Sequence, residues 1–233
     1  MILQINHLQK NFEEKKVLTD ASFSFEKGKI YGLLGRNGAG KTTLFNCISG
    51  ELKADGGEVR MLGDDLAPIA CDVGYVYATP VLPDFLTGWE FVKFYLDINH
   101  DKIPQPKNVG DYLAMVGLEE DDWYRLIKGY SHGMKNKLQM LCVLMAQPPV
   151  VLLDEPLTSF DVVAAHQMKE LLREMKTNHI LILSTHILQI ASDICDEIVI
   201  LNNGELRGVG EEMIHAPDFE NQVIELLGGE RDA

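Results

Sequence analysis

A glycine-rich segment at residues 35–43, GRNGAGKTT, has the residue types and the spacing of a phosphate-binding loop. It satisfies the pattern G-x-x-x-x-G-K-[ST] and joins a predicted strand to a predicted helix. Glycines let backbone N–H groups point at phosphate oxygens, and the positive end of the helix dipole adds to the attraction. We expect Lys41 to reach the β- and γ-phosphates of a nucleotide and the Thr42 hydroxyl to bind Mg²⁺. The other loop residues expected to contact the nucleotide are Gly35, Arg36, Asn37, Gly38, Ala39, Gly40 and Thr43.

Two adjacent carboxylates end a second apolar run, VVLLDEP at residues 150–156. In a parallel α/β sheet the carboxyl ends of the strands form the ligand-binding edge. Asp154 at that edge suits the surroundings of a metal ion, and Glu155 suits the orientation or deprotonation of the water that attacks the γ-phosphate. Alone, the pair also fits a solvated turn. Beside the phosphate loop it indicates a nucleotide hydrolase.

A third segment, KGYSHGMKNKLQ at residues 128–139, begins a predicted helix with positive charge. Ser131 can cap this helix or donate to a phosphate, and Gly133 permits close approach of the backbone. Lys135 and Lys137 lie at the positive end of the helix dipole, at a cost of up to about 1 kcal/mol unless an anion is near. The segment therefore predicts either an anion at this helix start or two solvated lysines.

The composition is that of an ordinary globular chain of 233 residues, with a formal net charge of −14. This excess of acid argues against a protein that neutralises a phosphate backbone, so nucleic acid is not an expected partner. No run approaches the roughly 18–20 apolar residues of a membrane span, and the first residues lack a signal-peptide pattern. The cysteines fit reduced, mostly buried thiols in a cytosolic protein, since their spacing matches neither CxxC nor a zinc site. They are Cys47, Cys71, Cys142 and Cys195.

The first third of the chain consists of short apolar runs of strand character. Strands are predicted at 1–8, 20–25, 29–35 and 56–62. A helix is predicted at 41–50, directly after the phosphate loop.

The middle of the chain, from about residue 84 to 147, has helical spacing and no clear strand, which predicts an inserted helical subdomain. Apolar strands buried on both faces of a parallel sheet are then predicted at 149–155 and 179–186, separated by a helix at 162–176. Residues 196–210 predict a hairpin that turns at Asn203 and Gly204.

Six elements in the correct order resemble the nucleotide-binding subunit of an ATP-binding cassette (ABC) transporter, over nearly the whole chain. The first two are the phosphate loop and the acidic strand. YSHGM stands where the family signature, usually LSGGQ, precedes a helix, and SFD at 159–161 resembles the D-loop. His186 in STH stands at the switch-histidine position, and Phe12 stands where an aromatic ring typically stacks on adenine.

The last two positions also have simpler interpretations. A lone histidine after an apolar strand is commonly structural, although the place of His186 one strand beyond Glu155 favours contact with the γ-phosphate. An aromatic residue near a strand end is more often packing, so adenine stacking by Phe12 depends on the resemblance.

The resemblance implies an α/β fold with a P-loop NTPase-type, RecA-like core and a mainly parallel sheet. It also implies an N-terminal antiparallel β subdomain and an inserted α-helical subdomain. The chain would be a single ABC ATPase domain over residues 1–233. Residues 1–83 and 147–233 would form the nucleotide-binding core, and residues 84–146 the helical subdomain.

The resemblance further implies that two copies, or this chain and a related one, enclose two ATP molecules with Mg²⁺. Each ATP would lie between the phosphate loop of one subunit and Ser131 and Gly133 of the other, with Asp161 of the D-loop also at the nucleotide. Hydrolysis, with Glu155 as the general base, would drive transport through a separate membrane permease that touches the helical subdomain. The chain would then be cytoplasmic and peripheral on the inner face of the cell membrane.

Two motifs depart from the family pattern. The glutamine that usually follows a GY pair is replaced by Ala78, which removes one contact to the metal; a shift of register would offer Tyr77 or Thr79 instead. In the signature, the usual leucine, first glycine and glutamine are replaced by Tyr130, His132 and Met134. These departures bear on the rate and the coupling of hydrolysis, not on ATP binding.

The segment LPDFLTGWEFVKF and the short tail after Gly210 resemble bacterial exporter-type cassettes and favour export. One alternative is a soluble ABC ATPase that acts as a mechanical switch on ribosomes or DNA. Such relatives usually carry two cassettes or a long coiled coil, and neither pattern occurs here. A small-molecule kinase is a further alternative, but it leaves YSHGM, SFD and His186 without a role.

Overall fold

The computed structural model describes residues 1–103, 106–214, 216 and 218–228, without the side chains of residues 211 and 212. Residues 215, 217 and 229–233 of the exporter-like tail therefore lie outside the described residues. Within these ranges, no helix combines the length and the apolar character needed to cross a membrane.

The strands form two sheets. In chain order they are β1 (Ile2–Phe12), β2 (Lys15–Glu26), β3 (Ile30–Leu34), β4 (Gly56–Leu62), β5 (Val73–Val76), β6 (Val150–Asp154), β7 (Ile180–Ser184), β8 (Glu197–Asn202) and β9 (Glu205–Val209). The first sheet is antiparallel with the order β2-β1-β4, and the second has six strands in the order β5-β6-β7-β3-β8-β9.

The β1–β2 hairpin extends beyond the predicted ends at residues 8 and 20, up to the pair Phe12 and Lys15. The charged residues on both sides of its turn are largely exposed and show no apolar alternation, so the pattern did not mark them as strand. This hairpin brings Phe12 to the tip of the first sheet.

The second sheet is parallel from β5 to β8, and only β9 runs antiparallel. Every residue of β3, β6 and β7 is buried, as expected for strands covered on both faces. The β8–β9 hairpin turns at Asn203 and Gly204, both with positive φ, as predicted. The predicted α/β fold with a mainly parallel sheet and an N-terminal antiparallel sheet is confirmed.

The helices are α1 (Lys41–Ser49), α2 (Gly88–Ile98), α3 (Val109–Met115), α4 (Glu120–Trp123), α5 (His132–Ala146), α6 (Val162–Met175), α7 (Leu188–Ile194), α8 (Glu211–Ile214) and α9 (Phe219–Gly228). Short 3₁₀ turns occupy Ile127–Gly129 and Lys176–Asn178. Four of the helices, α2 to α5, lie between β5 and β6 in the chain.

These four helices share a hydrophobic cluster of their own. The helix α2 begins with a reciprocal capping box between Thr87 and Glu90, which fixes its start. Two larger clusters fill the two faces of the six-stranded sheet, one of them shared with the antiparallel sheet. The sheet therefore holds the carboxyl ends of β3, β6 and β7 rigidly side by side.

Candidate functional site

The phosphate loop leaves the central strand β3 at Leu34 and enters α1 at Lys41. Gly38 and Gly40 have φ values of 79° and 106°, a region that favours glycine. A Cβ on Gly40 would also lie 2.7 Å from Val17 Cγ1, and a Cβ on Gly35 would lie 2.9 Å from the Leu201 carbonyl oxygen. Both close approaches require glycine, so the loop conformation depends on the motif residues.

The ammonium group of Lys41 lies inside this loop. Its Nζ donates to the carbonyl oxygens of Gly35, at 2.8 Å, and Arg36, at 3.4 Å. Burial lowers the pKa of Lys41, while the nearby carboxylates of Glu155 and Asp154 act in the opposite direction. The loop thus holds a buried cation that an anion entering the loop would stabilise.

The Asp154 carboxylate is bound from two sides. Thr42 Oγ1 donates to Asp154 Oδ2 at 2.9 Å, and Ser184 Oγ donates to Asp154 Oδ1 at 2.5 Å. These contacts connect the start of α1 with the ends of β6 and β7. A hydroxyl and a carboxylate side by side provide the hard oxygen ligands that Mg²⁺ prefers, so this donor set fits that ion.

Glu155 has a strained backbone and a carboxylate with one free oxygen. Its φ is 52°, which is rare for a residue other than glycine and costs roughly 1–3 kcal/mol. His186 Nδ1 lies 2.8 Å from Glu155 Oε1, whereas Glu155 Oε2 is buried and has no hydrogen-bond partner among the described residues. A buried acceptor without a partner can accept a proton or a water hydrogen.

His186 lies at the entrance of this group, with 54% of its side chain exposed. It lines a cavity of about 430 Å³ together with Gly35, Arg36 and Asn37 of the loop and Leu227 of α9. The structure therefore brings together five of the predicted residues: Lys41, Thr42, Asp154, Glu155 and His186.

Phe12 lies apart from this group, on the hairpin tip. Its side chain is 46% exposed, and Lys10 Nζ lies 5.6 Å from the ring centroid. A second cavity of about 530 Å³ adjoins the loop and is lined by residues of the hairpin, the loop and the β8–β9 turn. Val17 and Ala39 line this cavity, but Phe12 does not.

The YSHGM segment is built around the start of α5. The N–H group of Met134 donates to Ser131 Oγ at 3.2 Å, so Ser131 caps the helix as predicted. A Cβ on Gly133 would lie 2.9 Å from the carbonyl oxygen of Ser159, which explains the glycine there. Residues 131–134 line neither of the two cavities at the phosphate loop, so a single chain does not bring these segments together.

The two lysines that follow find partners within the chain. Lys135 Nζ lies 2.8 Å from Asp84 Oδ1, and Lys137 Nζ donates to the Gly117 carbonyl oxygen at 2.7 Å. The positive charge at this helix start is thus compensated by Asp84 and a backbone carbonyl. The sequence did not indicate either partner, because both are distant in the chain.

Asp161 caps the next helix, α6, by accepting hydrogen bonds from the N–H groups of Val163 and Ala164, both at 2.9 Å. These bonds, that of Ala164 foremost, lower the pKa of Asp161. Its neighbour Ser159 accepts a hydrogen bond from the Asn136 side chain of α5. The 159–161 segment therefore contacts the YSHGM helix of the same chain.

Ala78 is exposed and follows directly after β5 and Tyr77. The preceding carbonyl oxygen, of Tyr77, accepts a hydrogen bond from Gln139 Nε2 at 2.9 Å. Gln139 was not among the predicted functional residues. The only feature of the sequence that could have indicated Gln139 is that its long polar side chain stands among apolar residues of α5.

The phosphate loop follows the central strand β3, His186 follows the neighbouring strand β7, and the carboxylate pair lies at the end of β6, on the far side of β7. This arrangement is that of a P-loop ATPase domain of the ATP-binding cassette class. The profile of the family described as "ABC transporter" matches residues 18–158 of the chain. The chain belongs to the ABC transporter family.

Its relatives support this placement. The chain is 32% identical to the ABC transporter ATP-binding protein YxlF of Bacillus subtilis, over 90% of this chain and 71% of that protein. It is also 32% identical to an ABC transporter ATP-binding protein of Synechocystis, over 93% of this chain but 62% of that protein. The chain therefore spans about two thirds of the length of these relatives.

Solved structures agree in fold. An ATP-binding subunit of an ABC transporter superposes with a TM-score of 0.76 at 27% identity, covering 99% of this chain and 96% of that chain. An ATP-binding cassette of an ABC transporter in its ADP conformation gives a TM-score of 0.75 at 26% identity, covering 98% and 99% of the two chains.

Proposed function

We propose that this chain is the ATP-binding and ATP-hydrolysing subunit of a transporter, and that it powers transport through a separate membrane permease. The observation that supports this most is the convergence of Lys41, Thr42, Asp154, Glu155 and His186 at one edge of the sheet. The exporter-like segment at 82–94 favours export.

In this proposal the loop N–H groups and Lys41 bind the β- and γ-phosphates of ATP. The ammonium group leaves the Gly35 and Arg36 carbonyls for the phosphates, which are stronger, charged acceptors. Thr42 and Asp154 hold Mg²⁺, which when bound neutralises charge on the phosphate oxygens. Phe12 stacks on adenine from the hairpin tip, for which the exposed ring is available.

Glu155 Oε2 is the general base that orients and deprotonates the attacking water. This assignment is supported by the free, buried oxygen and by the strained backbone of Glu155, a conformation that persists only where the surrounding structure enforces it. His186 fixes the other oxygen and contacts the γ-phosphate, where it stabilises the charge that develops during transfer.

Each ATP is completed by a second subunit, either another copy or a related chain. Ser131, Gly133 and the positive end of α5 bind the γ-phosphate in the partner's loop, and Asp161 lies at the same interface. The separation of residues 131–134 from the loop cavities of their own chain supports a composite site.

The helical subdomain, residues 84–146, is the part that touches the permease, and residues 1–83 and 147–233 form the nucleotide-binding core of a single ABC ATPase domain. A groove of about 460 Å³ between α2, α5 and the edge strand β5 supports this contact. It is lined largely by apolar and aromatic side chains, and Phe94 and Ile98 remain more than half exposed there. The chain then lies on the inner, cytoplasmic face of the cell membrane.

Two measurements test the proposal. Purified chain should release phosphate from ATP only with Mg²⁺, and the Glu155→Gln variant should accumulate as an ATP-bound dimer in size-exclusion chromatography. Absence of ATP-dependent phosphate release or of nucleotide binding contradicts the ATPase assignment.

Affinity purification from detergent-solubilised membranes tests the transport assignment. A polytopic membrane protein that co-purifies in stoichiometric amount supports it. Ribosomal proteins or DNA in its place would instead support a soluble mechanical switch.

A further inference from the structure

Gln139 is a buried carboxamide on the YSHGM helix α5, with 6% of its surface exposed. Burying such a group is costly unless it is hydrogen-bonded. Its partner is not in its own helix or in the helical cluster. Gln139 Nε2 donates to the carbonyl oxygen of Tyr77, at 2.9 Å, across the boundary between α5 and the six-stranded sheet.

Tyr77 lies where the edge strand β5 ends. The last paired residues of β5 and β6 are Val76 and Leu153, so the Tyr77 carbonyl lies beyond the ladder. Gln139 therefore provides the hydrogen bond that the sheet no longer offers. The bond fixes the backbone at the start of segment 77–79, in which residues 78 and 79 are exposed.

The side chain of Tyr77 faces the phosphate-loop helix α1. Its hydroxyl donates to Glu51, just after α1, and its ring stacks on Tyr75 with a centroid distance of 4.2 Å. Tyr75 in turn packs edge-on against Phe45 of α1, at 5.8 Å. A single residue, Tyr77, thus connects α5 through its backbone with α1 through its side chain.

These two helices begin at the two phosphate-facing elements of the proposed site, Lys41 on α1 and Ser131 on α5. The hydroxyl of Tyr75 is buried without a hydrogen-bond partner among the described residues, and Tyr75 pairs with Leu152 of β6, the strand that ends at Asp154. The position of this tyrosine pair therefore affects both the relative placement of the two helices and the surroundings of Asp154.

We propose that Gln139 is a positioning residue for ATP hydrolysis, which acts by holding the Tyr77 carbonyl and thereby the tyrosine pair between α5 and α1. This inference rests on the proposed function, because it assumes hydrolysis at the Lys41–Glu155 site. Through Gln139, a carboxamide of α5 contacts the backbone at Tyr77, the residue directly before Ala78.

The first test is Gln139→Met, which keeps the length of the side chain but removes the donor. We expect kcat for ATP to fall about five- to tenfold, the factor that one buried hydrogen bond represents, and KM to change less than twofold. KM should hold because the phosphate loop is untouched. Gln167→Met, at an exposed position of α6, is the matched control and should keep the wild-type kcat.

The second test is a double-mutant cycle with Tyr77→Phe, which removes the contact with Glu51 and keeps the stacked ring. Since both changes act on the same segment, the double variant should lose less activity than the product of the two single losses. Hydrogen exchange of the 77–79 amides should be faster in Gln139→Met than in the wild type. Tyr77→Phe removes only the hydroxyl of a half-buried tyrosine, so it should fold even if Gln139→Met does not, and by itself it should lower kcat; an unchanged kcat would contradict the positioning role.

The outcomes separate this inference from the proposed function. If the wild-type chain hydrolyses ATP and Gln139→Met has unchanged kcat and unchanged exchange, the positioning role is wrong while the ATPase assignment stands. A change in KM alone, or multiplicative losses in the cycle, also contradicts the positioning role. If the wild-type chain does not hydrolyse ATP, the proposed function is wrong, and the positioning role, which rests on it, is wrong as well.

Discussion

Replacing Glu155 with glutamine is the sharpest test of the site. The carboxylate uses Oε1 for His186 Nδ1, at 2.8 Å, and keeps Oε2 buried and free of a partner. Glutamine has the same shape, and its carbonyl oxygen can still accept from His186. Its NH₂ group then takes the place of Oε2 and presents a donor where an acceptor is needed.

The expected loss is therefore that of the general base alone. General bases contribute roughly 10²- to 10⁴-fold to rate, which corresponds to about 3 to 5 kcal/mol in activation free energy. ATP affinity should remain within about twofold, because Lys41 and the loop amides are unaltered. The backbone strain at φ 52° is the same for glutamate and glutamine, so the thermal midpoint should also remain unchanged.

The assay is phosphate release at saturating Mg²⁺ and ATP, with binding of a fluorescent ATP analogue as the measure of affinity. His186→Ala should by itself lower kcat by about 10²- to 10³-fold. Combined with Glu155→Gln it should add less than its full effect, since the two side chains are hydrogen-bonded to each other. A kcat within threefold of wild type for Glu155→Gln would refute the assignment of Glu155 as the base.

Three further predictions concern the loop, the hairpin tip and the D-loop. Lys41→Met should weaken ATP binding by about 10- to 100-fold, because charged hydrogen bonds to the phosphates are lost. The thermal midpoint should not fall, because the variant removes a cation whose pKa is lowered by burial. An unchanged affinity in nucleotide titrations would contradict this prediction. Phe12→Ala should weaken binding by about fivefold or more while Phe12→Trp keeps it, and equal affinities for all three proteins would exclude stacking. Asp161→Ala should lower the free energy of unfolding, because the N–H groups of Val163 and Ala164 lose their acceptor, while Asp161→Asn retains the cap. The pKa of Asp161 is lowered in the folded chain. Its contribution to the free energy of unfolding is therefore full above the ordinary carboxyl pKa of about 4 and is lost as pH falls through the folded-state value. The denaturation curves of wild type and Asp161→Ala should thus converge in acid.

The elements with strong local signals were predictable from sequence. The phosphate loop depends on glycines whose positive φ and close contacts are encoded in the motif itself. Asp154 and Glu155 follow a fully apolar run, which fixes both the strand and its polar end. A parallel sheet places them at the same edge as the phosphate loop, whereas the strand order that sets their distance from Lys41 is visible only in the structure.

Other features depend on contacts between distant residues. β5 has only four residues, one of them Gly74, and is largely half-buried at the sheet edge, so its pattern is too short and too mixed to predict a strand. The pairing of Lys135 with Asp84 connects residues 51 positions apart. The hydrogen bond of Gln139 likewise goes to a backbone carbonyl, that of Tyr77. A backbone acceptor does not depend on the residue type, so the sequence pattern cannot indicate it.

The position of β3 has a consequence for the synthesis of the chain. The antiparallel sheet needs only residues 2–62 and can pair as soon as these have left the ribosome. In contrast, β3 is paired on both sides with late strands, β7 at 180–184 and β8 at 197–202. At roughly 5–20 residues per second, the strand that carries the phosphate loop waits about 10–30 seconds for its neighbours. Nascent chains halted before β7 should therefore contain an ordered N-terminal sheet but an unformed nucleotide loop, and they would depend on chaperones to keep Ile30–Leu34 from aggregating.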